Sequence, residues 1–115
     1  PKAVPLSHKN ILSNQKAALE AITITKKDIL YGVLPPFHSF GLSATGLFPL
    51  ISGLKVFYSP DPTDTQSMVQ DIFQKKITMI CLAPSFYKNL FHKVVEGFVH
   101  IFHMPIRILL YCKKG

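Results

Sequence analysis

The sequence lacks tryptophan, has only two cysteines and carries only six acidic residues among its 115. Cys81 falls inside an apolar run and is far from Cys112, so we expect a small buried side chain rather than half of a disulfide. No stretch approaches the ~18 uninterrupted apolar residues of a membrane-spanning helix. These absences argue against a disulfide-rich scaffold and favour a reducing, cytoplasmic setting.

The acidic residues and the histidines are too dispersed to indicate acid–base or metal chemistry. His92, His100 and His103 have no cysteine or carboxylate at a ligand spacing, and two imidazoles three residues apart are a weak metal signal. Neither Ser39 nor Ser85 lies in a Gly-x-Ser-x-Gly nucleophile motif. No complete glycine-rich phosphate loop is present. We therefore expect no metal site and no serine nucleophile.

Positive charge exceeds negative charge, with a net charge of +7, but the lysines are scattered along the chain and Arg107 is the only arginine. Proteins that bind nucleic acids usually cluster lysine and arginine on one face and add exposed aromatic side chains. We therefore expect no nucleic-acid binding. The basic balance remains compatible with contact to an anionic membrane surface or an acidic protein.

Hydrophobic periodicity and chain breakers divide the sequence into alternating strands and helices. After a short extended segment at residues 3–6, the predicted strands are residues 29–34, 55–58, 77–82 and 106–111. The predicted helices are residues 8–22, 39–52, 65–76 and 86–95. The second of these helices is apolar nearly all round, which predicts burial on every side. The alternation predicts an α/β fold with a mainly parallel sheet.

Several predicted helix ends carry residues that commonly cap helices. Ser7 precedes the first helix and Asp64 precedes the third, and both side chains can accept hydrogen bonds from backbone N–H groups of the first turn. Gly53 follows the second helix, where a glycine readily adopts the left-handed conformation that ends a helix. These residues predict where three of the helices begin or end.

The segment from Leu34 to Leu42 joins a predicted strand to a predicted helix. The strand must end at Pro35 and Pro36, because neither has an N–H group for a sheet hydrogen bond. His38 follows, and Ser39 is the predicted N-cap of the helix. Ligands of open α/β sheets bind beyond the carboxyl ends of strands. A single histidine among apolar residues is more often a packing or capping residue, so both interpretations stay open here.

Three motifs with their spacing resemble the adenylate-forming, AMP-binding superfamily over about residues 1–92. Pro1–Asn10, PKAVPLSHKN, is similar to the downstream half of that family's phosphate-loop motif, with Ala3 in place of the usual glycine. Leu34–Gly41, LPPFHSFG, and Tyr58–Asp64, YSPDPTD, are the other two motifs. Their proline-rich form most resembles bacterial acyl-acyl-carrier-protein synthetases of the 2-acylglycerophosphoethanolamine acyltransferase type.

The resemblance implies an enzyme that activates a fatty acid with ATP and Mg²⁺ to an acyl adenylate. The acyl group then passes to the thiol of an acyl carrier protein or of coenzyme A. By the same resemblance, Lys2 would contact phosphate and His38 would be the catalytic residue that orients the acyl adenylate. The acyl pocket would be lined by Phe37, Phe40, Gly41 and Ser85.

The motifs cover only part of such an enzyme. The Ser/Thr/Gly-rich half of the phosphate loop and the family's later adenine motifs do not occur in these 115 residues. We therefore interpret residues 1–97 as a partial AMP-binding domain and residues 98–115 as an unaligned C-terminal segment. The expected protein is a cytoplasmic piece, associated with the inner membrane or not, that lacks activity without the remainder of its domain. The alternatives are a non-catalytic remnant, a hydrophobic interaction piece or a membrane-surface module.

Overall fold

In the computed structural model, which describes residues 1–97 and 107–110, parallel strands form one sheet with helices on both faces. The strands are β1 (Ile29–Gly32), β2 (Lys55–Tyr58), β3 (Met79–Leu82) and β4 (Arg107–Leu110). Their order in the sheet is β2-β1-β3-β4, and every pairing is parallel. The predicted α/β fold class is confirmed, including the strand near residue 107.

The helices connect the strands in sequence order. They are α1 (His8–Ala21), α2 (Ser39–Gly41), a π-helical segment (Leu42–Leu47), α3 (Phe48–Ser52), α4 (Thr65–Gln74) and α5 (Pro84–Gly97). The α2, π-helical and α3 segments follow one another without a break, so they form one irregular helix. Residues 1–7 form no strand, so the predicted extended segment at residues 3–6 does not join the sheet.

Alternate side chains of the buried strands pack into two apolar clusters on opposite faces of the sheet. We call one side of the sheet the α1/α3 face, because α1 and the irregular helix cover it. Its cluster contains Leu30, Phe48, Leu54, Met79 and Cys81. The α4/α5 face is the cluster covered by α4 and α5, and it contains Tyr31, Val33, Met68, Val69, Ile72, Ile77, Ile80, Leu82 and Leu90.

The predicted caps of two helices are confirmed. The Ser7 hydroxyl accepts a hydrogen bond from the Asn10 amide at 3.1 Å, and the Asn10 side chain accepts one from the Ser7 amide at 3.0 Å. The Asp64 carboxylate accepts a hydrogen bond from the Ser67 amide at 3.1 Å. Gly53, with φ of 71°, ends α3 in the left-handed conformation, as its position predicts.

The helix predicted at residues 39–52 differs from expectation in two ways. It is not buried all round, because Leu42, Leu50 and Ile51 are exposed. Its N-cap is His38 rather than Ser39, because the imidazole accepts the hydrogen bond of the Phe40 amide. The sequence pattern shows that apolar residues occur all round the helix, but it does not show which side of the helix packs against the sheet.

Several other element boundaries differ from the prediction by about two residues. Strand β1 ends at Gly32 and β3 begins at Met79, so each is two residues shorter than its apolar run. Helix α5 begins at Pro84, where the sequence predicted a turn, because proline needs no hydrogen-bond partner for its nitrogen in the first turn. His100, His103 and Cys112 lie outside the described residues, as does most of the segment predicted to be separate from the domain.

Candidate functional site

The direction of the chain connections reverses between β1 and β3. The chain leaves β1 through a helix on the α1/α3 face and reaches β2 on one side, and it leaves β3 through α5, packed on the α4/α5 face, and reaches β4 on the other. In doubly wound sheets, ligands bind beyond the carboxyl ends of the strands at such a switch point. The residues that follow Gly32 and those that follow Leu82 therefore border the candidate site.

The loop after β1 is held in shape by backbone hydrogen bonds. The His38 amide donates to the Pro35 carbonyl at 3.1 Å, and the Leu42 amide donates to the His38 carbonyl at 2.9 Å. The Phe40 amide donates to Nδ1 of the His38 ring at 3.2 Å. Because Nδ1 accepts this hydrogen bond, the neutral ring carries its proton on Nε2. The exposed His38 side chain therefore presents an Nε2–H donor beyond the carboxyl end of β1.

Gly41 joins this loop to the helix by close packing. A Cβ atom at Gly41 would overlap the Pro35 carbonyl oxygen, so no other side chain fits at this position. The buried glycine therefore lets the helix approach the proline turn directly. This packing against the Pro35 carbonyl is enough to explain why a glycine occupies the position. The role of Gly41 in an acyl pocket stays a prediction.

The other residues assigned to an acyl pocket have different surroundings. Phe37 is 92% exposed, whereas Phe40 is half-buried and packs against the cluster of the α1/α3 face. Ser85 is exposed in the first turn of α5, which directly follows β3. The topology thus brings Ser85 and the His38 loop to the same edge of the sheet, on opposite sides of the switch point.

Lys2, the predicted phosphate ligand, lies in the exposed segment before α1. No hydrogen bond or ion pair links it to His38 in the part of the chain that the structure describes. Helix α1 itself is fixed to the irregular helix, because the Gln15 side-chain amide donates to the Ser43 hydroxyl at 2.9 Å. The phosphate contact of Lys2 remains a prediction.

The loop after β2 ends at the same edge of the sheet. The Asp61 carboxylate accepts hydrogen bonds from the Thr63 amide at 2.9 Å and from the Thr63 hydroxyl at 2.6 Å. These hydrogen bonds favour the ionised form and hold the pKa of Asp61 below its usual value. The motif that helped to carry the family resemblance is therefore a self-bonded turn that leads into the cap of α4.

Two residues with structural roles near the site were missed from the sequence. The Tyr58 hydroxyl donates to the Thr45 carbonyl at 2.6 Å, which ties the end of β2 to the π-helical segment. Gln15 is only 2% exposed, and its Oε1 has no hydrogen-bond partner among the described residues. A glutamine inside the apolar stripe of α1 was the available signal for a polar contact there.

Two buried titratable side chains lie in the interior of the two faces. Burial, followed by the hydrogen bond that its hydroxyl donates to Asp71 at 2.7 Å, raises the pKa of Tyr31 to about 12. Burial alone raises the pKa of the Cys81 thiol to about 11, so this free cysteine is a packing residue rather than a nucleophile.

Within the described residues, no group of three or more histidine, cysteine, aspartate or glutamate side chains is placed to hold a metal ion. None of the helices in residues 1–97 combines the length and apolar character needed to cross a membrane. The candidate site therefore consists of the His38 loop, the first turn of α5 and the loop after β2.

The chain matches the family model described as "AMP-binding enzyme" over residues 1–107. It is 30% identical over 88 residues to acyl-CoA ligase SID4 of Ajellomyces capsulatus, covering 76% of this chain and 15% of that protein. It is also 30% identical over 96 residues to a long-chain-fatty-acid–CoA ligase of Bacillus subtilis, covering 80% of this chain and 17% of that protein.

Two solved structures also resemble this chain. The O-succinylbenzoate coenzyme A synthetase of Bacillus subtilis in complex with AMP superposes with a TM-score of 0.81 at 25% identity, covering 97% of this chain and 22% of that one. A fatty acyl-adenylate ligase from L. pneumophila superposes with a TM-score of 0.69 at 25% identity, covering 87% of this chain and 18% of that one. The chain spans about a sixth of the length of the two curated relatives described above.

Proposed function

We propose a function from one premise: the chain belongs to the AMP-binding enzyme family. The protein that carries it would join a carboxylic acid to AMP, using ATP and releasing pyrophosphate. The observation that carries this proposal is the His38 imidazole, held as a helix N-cap with its Nε2–H presented beyond the carboxyl end of β1. That position, at the switch point of the sheet, is where a ligand of this fold class is expected.

The proposed reaction concentrates negative charge on oxygen atoms. A carboxylate oxygen bonds to the α-phosphorus of ATP, and the bond from that phosphorus to the pyrophosphate oxygen breaks. The Nε2–H of His38 would donate a hydrogen bond to an oxygen of the acyl group or the α-phosphate, where charge develops. The ammonium group of Lys2 would lie near the departing phosphates, as the family resemblance implies.

ATP in this family is accompanied by magnesium, and one of the matching synthetase structures is described as a complex with ATP and a magnesium ion. Magnesium is commonly held by one or two carboxylates together with phosphate oxygens and water. The described residues form no cluster of three such side chains. When bound with ATP, the ion would offset negative charge on the phosphate oxygens.

The acyl substrate and the thiol acceptor are the finer parts of the proposal. We propose a fatty acid, with Phe37, Phe40, Gly41 and Ser85 along its path. The curated relatives described above are named as CoA ligases, which favours coenzyme A as the acceptor. An acyl carrier protein and a lysophospholipid product, suggested by the proline-rich motifs, are the alternative. The latter would involve contact with the inner membrane from the cytoplasmic side.

The described residues would supply only one part of the adenylation site. The exposed apolar side chains Leu50 and Ile51 of α3 are suited to packing against the remainder of the domain. The Ser/Thr/Gly-rich half of the phosphate loop does not occur in these 115 residues. We therefore expect no adenylation by the isolated 115-residue chain.

The test is exchange of labelled pyrophosphate into ATP by the natural full-length protein, with a series of fatty acids of increasing length. The proposal predicts exchange that depends on the acid, followed by thioester formation when coenzyme A is added. Formation of thioester only with acyl carrier protein would support the alternative acceptor. Absence of exchange with every acid would contradict the adenylation, and turnover by the isolated 115 residues would contradict the partial site.

A further inference from the structure

The irregular helix after His38 contains a proline that changes its hydrogen bonding. In a regular α-helix the Thr45 carbonyl would accept from the amide of residue 49, but that residue is Pro49, which has no N–H. The proline ring also crowds the carbonyl four residues before it. The chain responds with a π-helical segment, in which the Phe48 amide donates to the Ser43 carbonyl five residues back.

The Tyr58 hydroxyl supplies a hydrogen bond to the Thr45 carbonyl, at 2.6 Å. Tyr58 can reach it because Gly32 is its partner in the sheet register and leaves room for the ring. A Cβ atom at Gly32 would lie 2.6 Å from Cδ1 of that ring. The end of β2 is therefore joined to the π-helical segment by a side chain that only a glycine neighbour permits.

Thr45 continues the connection toward the His38 loop. Its hydroxyl is buried and donates to the Gly41 carbonyl at 2.6 Å. Gly41 in turn packs directly against the Pro35 carbonyl, and that carbonyl accepts the hydrogen bond of the His38 amide. A contiguous path of hydrogen bonds and close packing thus leads from the Tyr58 hydroxyl to the backbone of His38.

We infer that Tyr58 is a positioning residue for His38, acting through the Thr45 carbonyl and the Thr45 hydroxyl. The inference rests on the proposed function, because it matters for catalysis only if the His38 ring contacts the reacting groups. By fixing the π-helical segment, Tyr58 keeps Gly41 against the proline turn and holds the His38 ring on the Phe40 amide. The Nε2–H is then presented in one orientation.

The first test is Tyr58→Phe in the full-length protein, compared with Tyr31→Phe. Both changes delete one hydroxyl that donates a hydrogen bond, but the Tyr31 hydroxyl bonds to Asp71 on the α4/α5 face and takes no part in the path from Thr45 through Gly41 to His38. We expect Tyr58→Phe to lower kcat of pyrophosphate exchange roughly tenfold or more, with KM for ATP within about twofold. Tyr31→Phe should leave kcat unchanged.

Hydrogen–deuterium exchange of the peptide that covers residues 37–45 provides a readout independent of activity. We expect the backbone amides of this peptide to exchange roughly tenfold faster in Tyr58→Phe than in Tyr31→Phe, because the cap and the π-helical segment open more often. Thr45→Val should reproduce both the loss of kcat and the faster deuterium exchange. Thr45→Ser, which keeps the hydroxyl, should behave like the wild-type protein in both measurements. Rescue by serine separates the hydrogen bond from general destabilisation.

Equal rates of deuterium exchange and equal kcat in the two tyrosine variants would overturn the inference. Faster deuterium exchange in Tyr58→Phe without any loss of kcat would overturn it as well, because the loop would then move without consequence for the reaction. If His38→Ala left exchange of pyrophosphate intact, the proposed role of His38 would fail. The deuterium measurement would still decide whether Tyr58 holds the loop, so the two failures are distinguishable.

Discussion

The two faces of the sheet are covered in different ways. On the α4/α5 face the covering helix α4 is regular, and the buried polar group of Tyr31 is satisfied by Asp71. On the α1/α3 face the covering helix contains a π-helical segment, Gln15 is buried with Oε1 lacking a partner among the described residues, and three large apolar side chains of the irregular helix are exposed.

This difference follows the position of the candidate site. The His38 loop leads into the irregular helix. Gly41 lies in that helix, and Gly32 lies in β1 beside the Tyr58 ring, whose hydroxyl bonds to the helix. π-Helical segments are rare and occur frequently at functional sites. The irregularity of the α1/α3 face thus coincides with the hydrogen bonds that lead from Tyr58 to the His38 loop.

The largest expected difference concerns two leucines. Leu82 is fully buried in the α4/α5 face, so Leu82→Ala should lower the free energy of unfolding by about 2–5 kcal/mol. Leu50 on α3 is 79% exposed, so Leu50→Ala should change it by less than about 0.5 kcal/mol. Urea denaturation of the 115-residue chain measures both. A similar loss in the two variants would show that α3 is covered in solution, and would remove the contrast between the faces.

A pair of glycines in the irregular helix tests the packing against the proline turn. Gly41→Ala forces a Cβ into the Pro35 carbonyl and should cost about 1–3 kcal/mol. Gly46→Ala places its Cβ no closer than 3.8 Å to Leu42 and should stabilise the helix by about 0.5–1 kcal/mol. Thermal unfolding of both variants gives the comparison. Destabilisation by both changes would mean that the helix tolerates no added side chain, whatever its contact.

The pH dependence of stability tests the interior of the α4/α5 face. Tyr31 has a pKa of about 12 in the folded chain, whereas an unfolded tyrosine ionises near pH ~10. Between these values the unfolded state binds fewer protons, so stability falls as pH rises from about 10 to about 12. Urea denaturation from pH 9 to pH 12 should therefore show a shallower decline in Tyr31→Phe.

The pH series needs a background without the other buried acid. Burial raises the pKa of the Cys81 thiol to about 11, so this group also titrates in the same range. Both the reference chain and Tyr31→Phe should therefore carry Cys81→Ala. Identical slopes in the two chains would show that the tyrosine hydroxyl is not protected in solution, and the α4/α5 face would then be less ordered than described.

The smallest expected effect lies at the end of α4. Lys76 has φ of 53°, a left-handed conformation that costs a residue with a Cβ atom roughly 1 kcal/mol. Lys76→Gly should therefore raise the free energy of unfolding by about 0.5–1 kcal/mol. Lys75, with φ of −90°, is the neighbouring control. Lys75→Gly should lower the free energy of unfolding, through the flexible backbone of glycine and through loss of the contact of the lysine ammonium group with the Phe57 ring at 5.1 Å. Stabilisation by both changes would indicate a charge effect instead.

Local chemistry predicted much of the fold. The bounds of β2, the caps Ser7 and Asp64, and the end of α3 at Gly53 each depend on residues within a few positions. Ser39 was predicted as an N-cap because serine is a common one. The structure places the cap at His38, because the proline turn positions its imidazole on the Phe40 amide. That outcome depends on backbone geometry that composition does not reveal.

The irregular helix shows what could have been predicted and what could not. Pro49 removes the partner of the Thr45 carbonyl, so a distortion was readable from the sequence. The hydrogen bond that Tyr58 donates to this carbonyl depends on the register of β1 and β2, which places Gly32 beside the tyrosine ring. The site residues of the AMP-binding motif were predicted by resemblance. The structure brings His38 and Ser85 to one edge of the sheet, whereas the role of Lys2 remains a prediction.

The most direct test of the account is pyrophosphate exchange by His38 variants of the full-length protein. His38→Ser keeps a capping oxygen but removes the Nε2–H, so it separates the donor from the cap. If the donor contacts the reacting oxygens, His38→Ser and His38→Ala should both lower kcat/KM by roughly a hundredfold or more. His92→Ala, at an exposed histidine of α5, should not. Wild-type exchange in His38→Ser would contradict the central claim.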